Sequence, residues 1–129
     1  LNVVAIDIGL KRIGVAVLVS GIAMASEPIF RKNREQASRD VSTMLKEKNA
    51  SKLIVGIPRG GASEEEMDRR IKHFVSLLAF EGEIIYVDEF GSSREALSEI
   101  GGGLTKTKDG RADSLAALVI LRRWSEFRG

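Results

Sequence analysis

Residues 4–17 read VAIDIGLKRIGVAV. Two apolar runs, each of strand length, flank the connection Ile8-Gly9-Leu10-Lys11-Arg12. So short a link between two such runs predicts an antiparallel hairpin, with strands over 2–8 and 13–20. Asp7 stands where the first run ends. A carboxylate in an otherwise apolar strand must shed water on folding, at a cost of about several kcal/mol unless a cation or hydrogen-bond donors compensate. Gly9, two residues on, leaves the same mouth without a side chain and lets the backbone turn or approach a ligand closely. Capping a turn is the alternative role for Asp7. A metal or phosphate site uses both residues, and it requires further carboxylates at the same mouth.

Outward from the hairpin, 22–30 makes a third strand, and Pro28 near its end suits an edge. The period then changes. Over 34–49, Ala37, Val41, Met44, Leu45 and Lys48 fall on one helical face with charges elsewhere. KLIVGI (52–57) is wholly apolar beyond its first residue, as expected of a central parallel strand covered on both faces. Pro58 stops it, Arg59-Gly60-Gly61-Ala62 is a loop, and Ser63 with Glu66 forms a capping box for a helix running to about Ala79. EIIYVD (83–88) is another strand. Ser92 with Glu95 opens a short helix to Ile100, and the glycines 101–103 predict a mobile loop. Asp109 caps a last helix over 111–127. The order predicts an α/β fold: a five-stranded mixed sheet, three antiparallel strands then two parallel, with helices packed on its faces, in one domain over 1–129.

The chain has 129 residues, a net charge of +2, no cysteine and a single histidine, His73. Disulfides, zinc–thiolate sites and thiol nucleophiles are thereby excluded. A catalytic metal would be held by oxygen ligands, which points to Mg²⁺ or Mn²⁺. The longest mostly apolar stretch, 13–25, is too short to span a bilayer. No secretory leader is visible, and the first residue is Leu1 rather than Met, so a processed start and a cytoplasmic location are expected. The slight basic excess favours a polyanionic partner only weakly.

Beyond Asp7, the candidate carboxylates are Asp88, Glu89 and Asp113. Neighbours on a strand point to opposite faces, so only one of Asp88 and Glu89 can share a face with Asp7 unless the strand has already ended. Asp113 lies in the first turn of the last helix, in line with Ala117, Ile120 and Trp124, and so looks toward the sheet. Converging carboxylates repel unless a cation intervenes. Two divalent ions about 4 Å apart resolve that repulsion, activate a water and stabilise the leaving oxygen of a phosphodiester. The basic residues Lys11, Arg12, Arg59, Lys106, Lys108 and Arg111 are placed to contact phosphates without reading sequence. Arg69, Arg70, Lys72, Arg122 and Arg123 read as helix surface, and His73 as uninvolved.

VAIDIGLKRIGVAV, LIVGIP, YVDEFGSS and DGRADSLAALVILRRW together resemble, in order and spacing, the signature segments of the YqgF/RuvX family. The resemblance spans nearly the whole chain. It implies a ribonuclease H-like fold related to the RuvC-type Holliday junction resolvases, and a nuclease assigned to pre-16S ribosomal RNA processing or, formerly, to Holliday junctions. It further implies that Asp7, Glu89 and Asp113 are the catalytic, metal-binding carboxylates, with Asp88 second to Glu89. The family places an Arg after its Asp-Glu pair and two threonines beyond; this chain has Phe90, with Ser92 and Ser93. Serine keeps the hydroxyl, whereas losing the Arg removes a bidentate contact.

Three functions compete. A metal-dependent nuclease acting on rRNA precursor or branched DNA uses all the acidic candidates, and two symmetric cuts would suit a homodimer. A phosphotransferase would need a second lobe and a phosphate loop, and residues 56–61 lack its Lys-Ser/Thr ending. A non-catalytic nucleic-acid or ribosome-associated module draws its support from Phe90.

Overall fold

The hairpin forms, and the rest of the sheet assembles around its first strand. The structure, a computed structural model, describes residues 2–57, 64–88 and 111–127. Strands β1 (Asn2–Ile8), β2 (Arg12–Val19) and β3 (Ile22–Phe30) form an antiparallel meander. Helix α1 (Arg34–Glu47) leads to β4 (Ala50–Ile57), and α2 (Glu64–Ser76) leads to β5 (Glu83–Asp88). Helix α3 (Arg111–Phe127) follows. The sheet order is β3-β2-β1-β4-β5, with β4 and β5 parallel to β1. This is the five-stranded mixed sheet that the sequence predicts.

The pleat sorts the core into two layers. Val4, Ile6 and Ile8 of β1, with Leu53, Val55 and Ile57 of β4, pack against Ala37, Val41 and Leu45 of α1 and Ile71, Phe74 and Val75 of α2. The alternate residues Ala5, Ala16 and Ile54 pack under Ala117, Ile120, Leu121 and Trp124 of α3. Alanines on both sides of that second interface let α3 settle close to the sheet, and α3 is buried along most of its circumference. Each fully buried Ile, Leu or Phe contributes about 1.5–3 kcal/mol relative to leaving it in water.

Several boundaries differ from the sequence expectation for local reasons. Strand β2 ends at Val19 because Ser20 (φ 51°) and Gly21 (φ 83°) both take left-handed conformations, as a two-residue hairpin turn between right-twisted strands requires. Helix α1 stops at Glu47 rather than 49, and Asn49 (φ 52°) turns the chain into β4. Helix α2 closes at Ser76 rather than Ala79, where Leu77 and Leu78 donate to the carbonyls of Phe74 and Val75. The start of α1 carries a capping box absent from the sequence reading. Asn33 Oδ1 accepts from the Gln36 amide at 2.7 Å, and Gln36 Oε1 accepts from the backbone N–H of Asn33 at 3.4 Å. The loop from Arg59, the Ser63 cap, the Ser92 helix, the glycine run and the Asp109 cap lie outside the described residues. Among the described residues no helix is long and apolar enough to cross a membrane.

Candidate active site

Asp7 is the point from which the site is built. In β1 it pairs with Gly14 of β2, one step beyond the last β1–β4 pair, Ile6↔Val55. The central strands begin to part there, at the carboxyl ends of the parallel strands, where open α/β sheets build their sites. Alternation sets Asp7 on the α3 side of the sheet, with Val3 and Ala5. It is half-buried.

Its neighbours on that side are small. Gly14 faces it across β2, and Gly56 of β4 follows Val55 by one residue and pairs with Val87 of β5. Neither glycine carries a side chain to fill the space beside the carboxylate. Gly14 stands in the middle of an apolar strand, which is itself a sequence signal for close approach. The same residue faces an irregularity in the sheet. Ile13 pairs with Ile29 but Val15 with Ser26, so Glu27 and Pro28 of β3 oppose one residue of β2.

Helix α3 is fastened at this irregularity. The backbone N–H of Val15 donates to Ser114 Oγ at 3.3 Å, both residues being buried. The bond joins positions 99 residues apart and seats the first turn of α3 against β2, one residue from the partner of Asp7. Asp113 precedes Ser114 in that turn. Ala117, Ile120 and Trp124, which the sequence set in line with Asp113, are buried under the sheet. A second tie reaches the far edge, where Arg123 Nη1 donates to the Asp88 carbonyl at 3.0 Å. The sequence reading placed Arg123 on the helix surface; it is half-buried, its long side chain reaching the end of β5. No short sequence pattern signals that reach.

Asp88 is exposed and shares its strand face with Ile84 and Tyr86, which pack on the α1/α2 side, whereas Ile85 and Val87 pack on the side of Asp7. The turn beyond Asp7 is tight: Gly9 N–H donates to the Arg12 carbonyl at 3.0 Å. Lys11 is exposed and Arg12 half-buried at the start of β2. Arg31, not singled out in the sequence, braces the turn from β3's end. Its N–H donates to the Lys11 carbonyl at 2.8 Å, its Nη1 to the Gly9 carbonyl at 2.6 Å, and its guanidinium lies 5.2 Å from the Phe74 ring centroid. Burial, and then the nearby charge of Arg34, push the Arg31 pKa down.

Arg59, Glu89, Lys106 and Lys108 lie outside the described residues. Arg111 and Asp113 are helical in α3, and their side chains lie outside the description. Among the described residues no three potential metal ligands cluster. His73 is exposed on α2.

Residues 1–126 match the RuvX family, described as a Holliday junction resolvase. The chain belongs to the RuvX family. A relative from Campylobacter jejuni subsp. doylei, carrying the name "Putative pre-16S rRNA nuclease", is 54% identical over 123 residues, covering 95% of both chains. A relative of the same name from Helicobacter pylori is 46% identical over 129 residues, covering 96% of this chain and 95% of its own. Among solved structures, the RuvX chain resembles Thermus thermophilus RuvC in complex with a Holliday junction substrate, with a TM-score of 0.62 at 13% identity over 98% of this chain and 96% of that one. It also resembles the fowlpox virus Holliday junction resolvase, with a TM-score of 0.58 at 18% identity, 98% of this chain and 99% of that one being covered. These likenesses establish a RuvC-like, ribonuclease H-type fold.

Proposed function

We propose that this protein is a divalent-metal-dependent nuclease that hydrolyses phosphodiester bonds in structured nucleic acid, with the 5′ region of pre-16S ribosomal RNA as its substrate and the cytoplasm as its place of action. The observation that carries the reading is the setting of Asp7. It is a half-buried carboxylate at the carboxyl end of the central strand, bordered by two glycines and faced by a helix whose first turn is bonded to the neighbouring strand. A half-buried carboxylate at the end of a central strand is a hard oxygen donor of the kind a hard cation takes.

The donor set fits Mg²⁺ or Mn²⁺. Asp7, Glu89 and Asp113 are hard oxygen donors, and the chain has no cysteine to favour a softer metal. Asp7 comes from the central strand and Asp113 from the first turn of α3; Glu89 follows Val87 by two residues in sequence. When bound, the metal supplies an activated water and neutralises charge at the leaving oxygen. The protein's own part is to hold the carboxylates and to position the phosphate. Ser114 and Arg123 keep α3 on the sheet, while Lys11 and Arg12 are placed at the hairpin mouth to contact the nucleic-acid backbone without reading sequence.

The test incubates the protein with a pre-16S rRNA fragment and a four-way DNA junction side by side, with Mg²⁺ or Mn²⁺. Metal-dependent cleavage of the RNA, lost by at least about 100-fold in Asp7→Asn, is expected. Cleavage of the junction alone would reassign the substrate to branched DNA. Binding without cleavage of either would overturn the nuclease reading in favour of a non-catalytic module.

A further inference from the structure

On the opposite side of the hairpin turn from Asp7, a cavity of about 360 Å³ opens between the turn, α1 and α2. Its floor is apolar: Ile8, Ile71 and Phe74, all buried. Its rim carries three guanidinium groups, those of Arg31, Arg34 and Arg70.

Arg31 braces the turn, but the charges of Arg34 and Arg70 are poorly explained by stability alone. Arg31 is partly buried, and its side chain bonds to a neutral carbonyl, that of Gly9, rather than to a carboxylate. Arg34 stands at the first position of α1, where the helix dipole disfavours a cation. It also adds to the positive field at Arg31 and helps lower the Arg31 pKa. Arg70 pairs with Glu66 at 2.6 Å, but both side chains are more than half exposed, so the pair contributes little and is readily exchanged. An anion between these groups would relieve the repulsion and satisfy fork-shaped donors that match phosphate oxygens.

The remaining lining narrows the class of anion. Leu10, at the tip of the turn, is 76% exposed, an unusual place for a large apolar side chain beside three arginines. An apolar floor, an apolar lip and a guanidinium rim suit a sugar and base attached to a phosphate better than a bare inorganic ion.

We propose that this cavity binds the phosphate of a nucleotide unit, held by Arg34 and Arg70 with Arg31 behind them, at a position distinct from the phosphate that faces Asp7. Two sources share that chemistry: a nucleotide of the bound nucleic-acid strand, or a free mononucleotide. The strand is the source if the nuclease reading holds, since one strand draped over Leu10 would pass from the Asp7 side of the turn to the arginine side.

Binding is measured on the full chain without divalent metal, by fluorescence anisotropy of a 3′-labelled single-stranded RNA dodecamer, with AMP and inorganic phosphate as competitors. The double variant Arg34→Ala/Arg70→Ala is expected to bind the RNA at least about 10-fold more weakly and to flatten the salt dependence by about 1.4 log units per log unit, for two lost phosphate contacts. Its thermal midpoint is expected to stay level or rise, because like-charge repulsion is removed. Arg39→Ala/Lys46→Ala, which removes the same charge from elsewhere on α1, is the control. AMP displacing the RNA in wild type but binding the double variant poorly would assign the site to a free nucleotide; RNA that depends on the arginines yet resists AMP would assign it to the strand. Equal losses in the double variant and the control would overturn the proposal. Because no metal is present, that outcome is separate from any failure of cleavage.

Discussion

Replacing Ser114 by Ala tests whether the candidate site is assembled as described. The hydroxyl accepts the Val15 N–H at 3.3 Å, with Ser114 2% and Val15 0% exposed, so water cannot substitute for it. Removing an acceptor from a buried donor costs about 1–3 kcal/mol. The bond is slightly longer than the usual N–H···O range, which ends at about 3.2 Å, so the lower half applies. Alanine's better helix propensity returns up to about 0.5 kcal/mol. The net expectation is a loss of about 0.5–2 kcal/mol, or roughly 2–8 °C in the midpoint of a chain this size. Trp124, the single tryptophan, lies buried in the same helix and reports the transition by its fluorescence in a urea melt. Metal-dependent cleavage should fall further than the stability loss accounts for, because Asp113 is the next residue toward the helix start. A variant as stable as wild type, or more stable, would refute the claim that Ser114 seats α3 on β2.

Asn33→Ala should cost about 1 kcal/mol by removing the side-chain half of the α1 capping box, seen as a lower urea midpoint at unchanged slope. Gly9→Ala places a Cβ 2.6 Å from the Arg12 backbone oxygen, so the turn must open; a loss of about 1–3 kcal/mol is expected, with cleavage reduced as the hairpin mouth shifts. Tyr86, the single tyrosine, has its pKa raised chiefly by burial, with Lys72 opposing and Asp68 adding. The phenol therefore ionises later in the folded than in the unfolded chain, and its stabilising contribution is present below pH 10 and lost as pH rises through the native midpoint. Absorbance at 295 nm should show one titration midpoint, above 10 in buffer and lower in urea, and Tyr86→Phe should remove that part of the alkaline stability loss.

The hairpin, the meander and the edge position of β3 were legible because each rests on local chemistry: alternation, a short link, a proline. KLIVGI was legible as a central strand because a run apolar at every step must be covered on both faces. The row Ala117, Ile120 and Trp124 announced the packing of α3 by its spacing alone. Gly14 signals a close approach by interrupting an apolar strand, but what it approaches is legible only once the register sets it opposite Asp7, and Gly56 gains its meaning only as the residue after the partner of Ile6. Ser114 and Arg123 are illegible for a similar reason, since bonds spanning 99 and 35 residues leave no trace in either neighbourhood. Of the acidic set, Asp7 was readable as a desolvated strand carboxylate, while the choice of Glu89 over Asp88 rested on resemblance. Strand parity sets Asp88 with Ile84 and Tyr86 on the α1/α2 side, and Glu89 lies outside the described residues.

β1 is locked laterally by a strand on each side and vertically by a helical layer above and below. Ala5 and Ile6 are fully shielded, each held between Ala16 and Ile54 or between Val15 and Val55. Their amides should be among the slowest to exchange with deuterium, opening only when the whole domain does. The carboxylate next in line is thus anchored to the most slowly opening part of the molecule. On the proposed function, the Asp7 share of the metal site would then be lost only with global denaturation, and heat inactivation that runs ahead of unfolding would trace to the α3 side of the site.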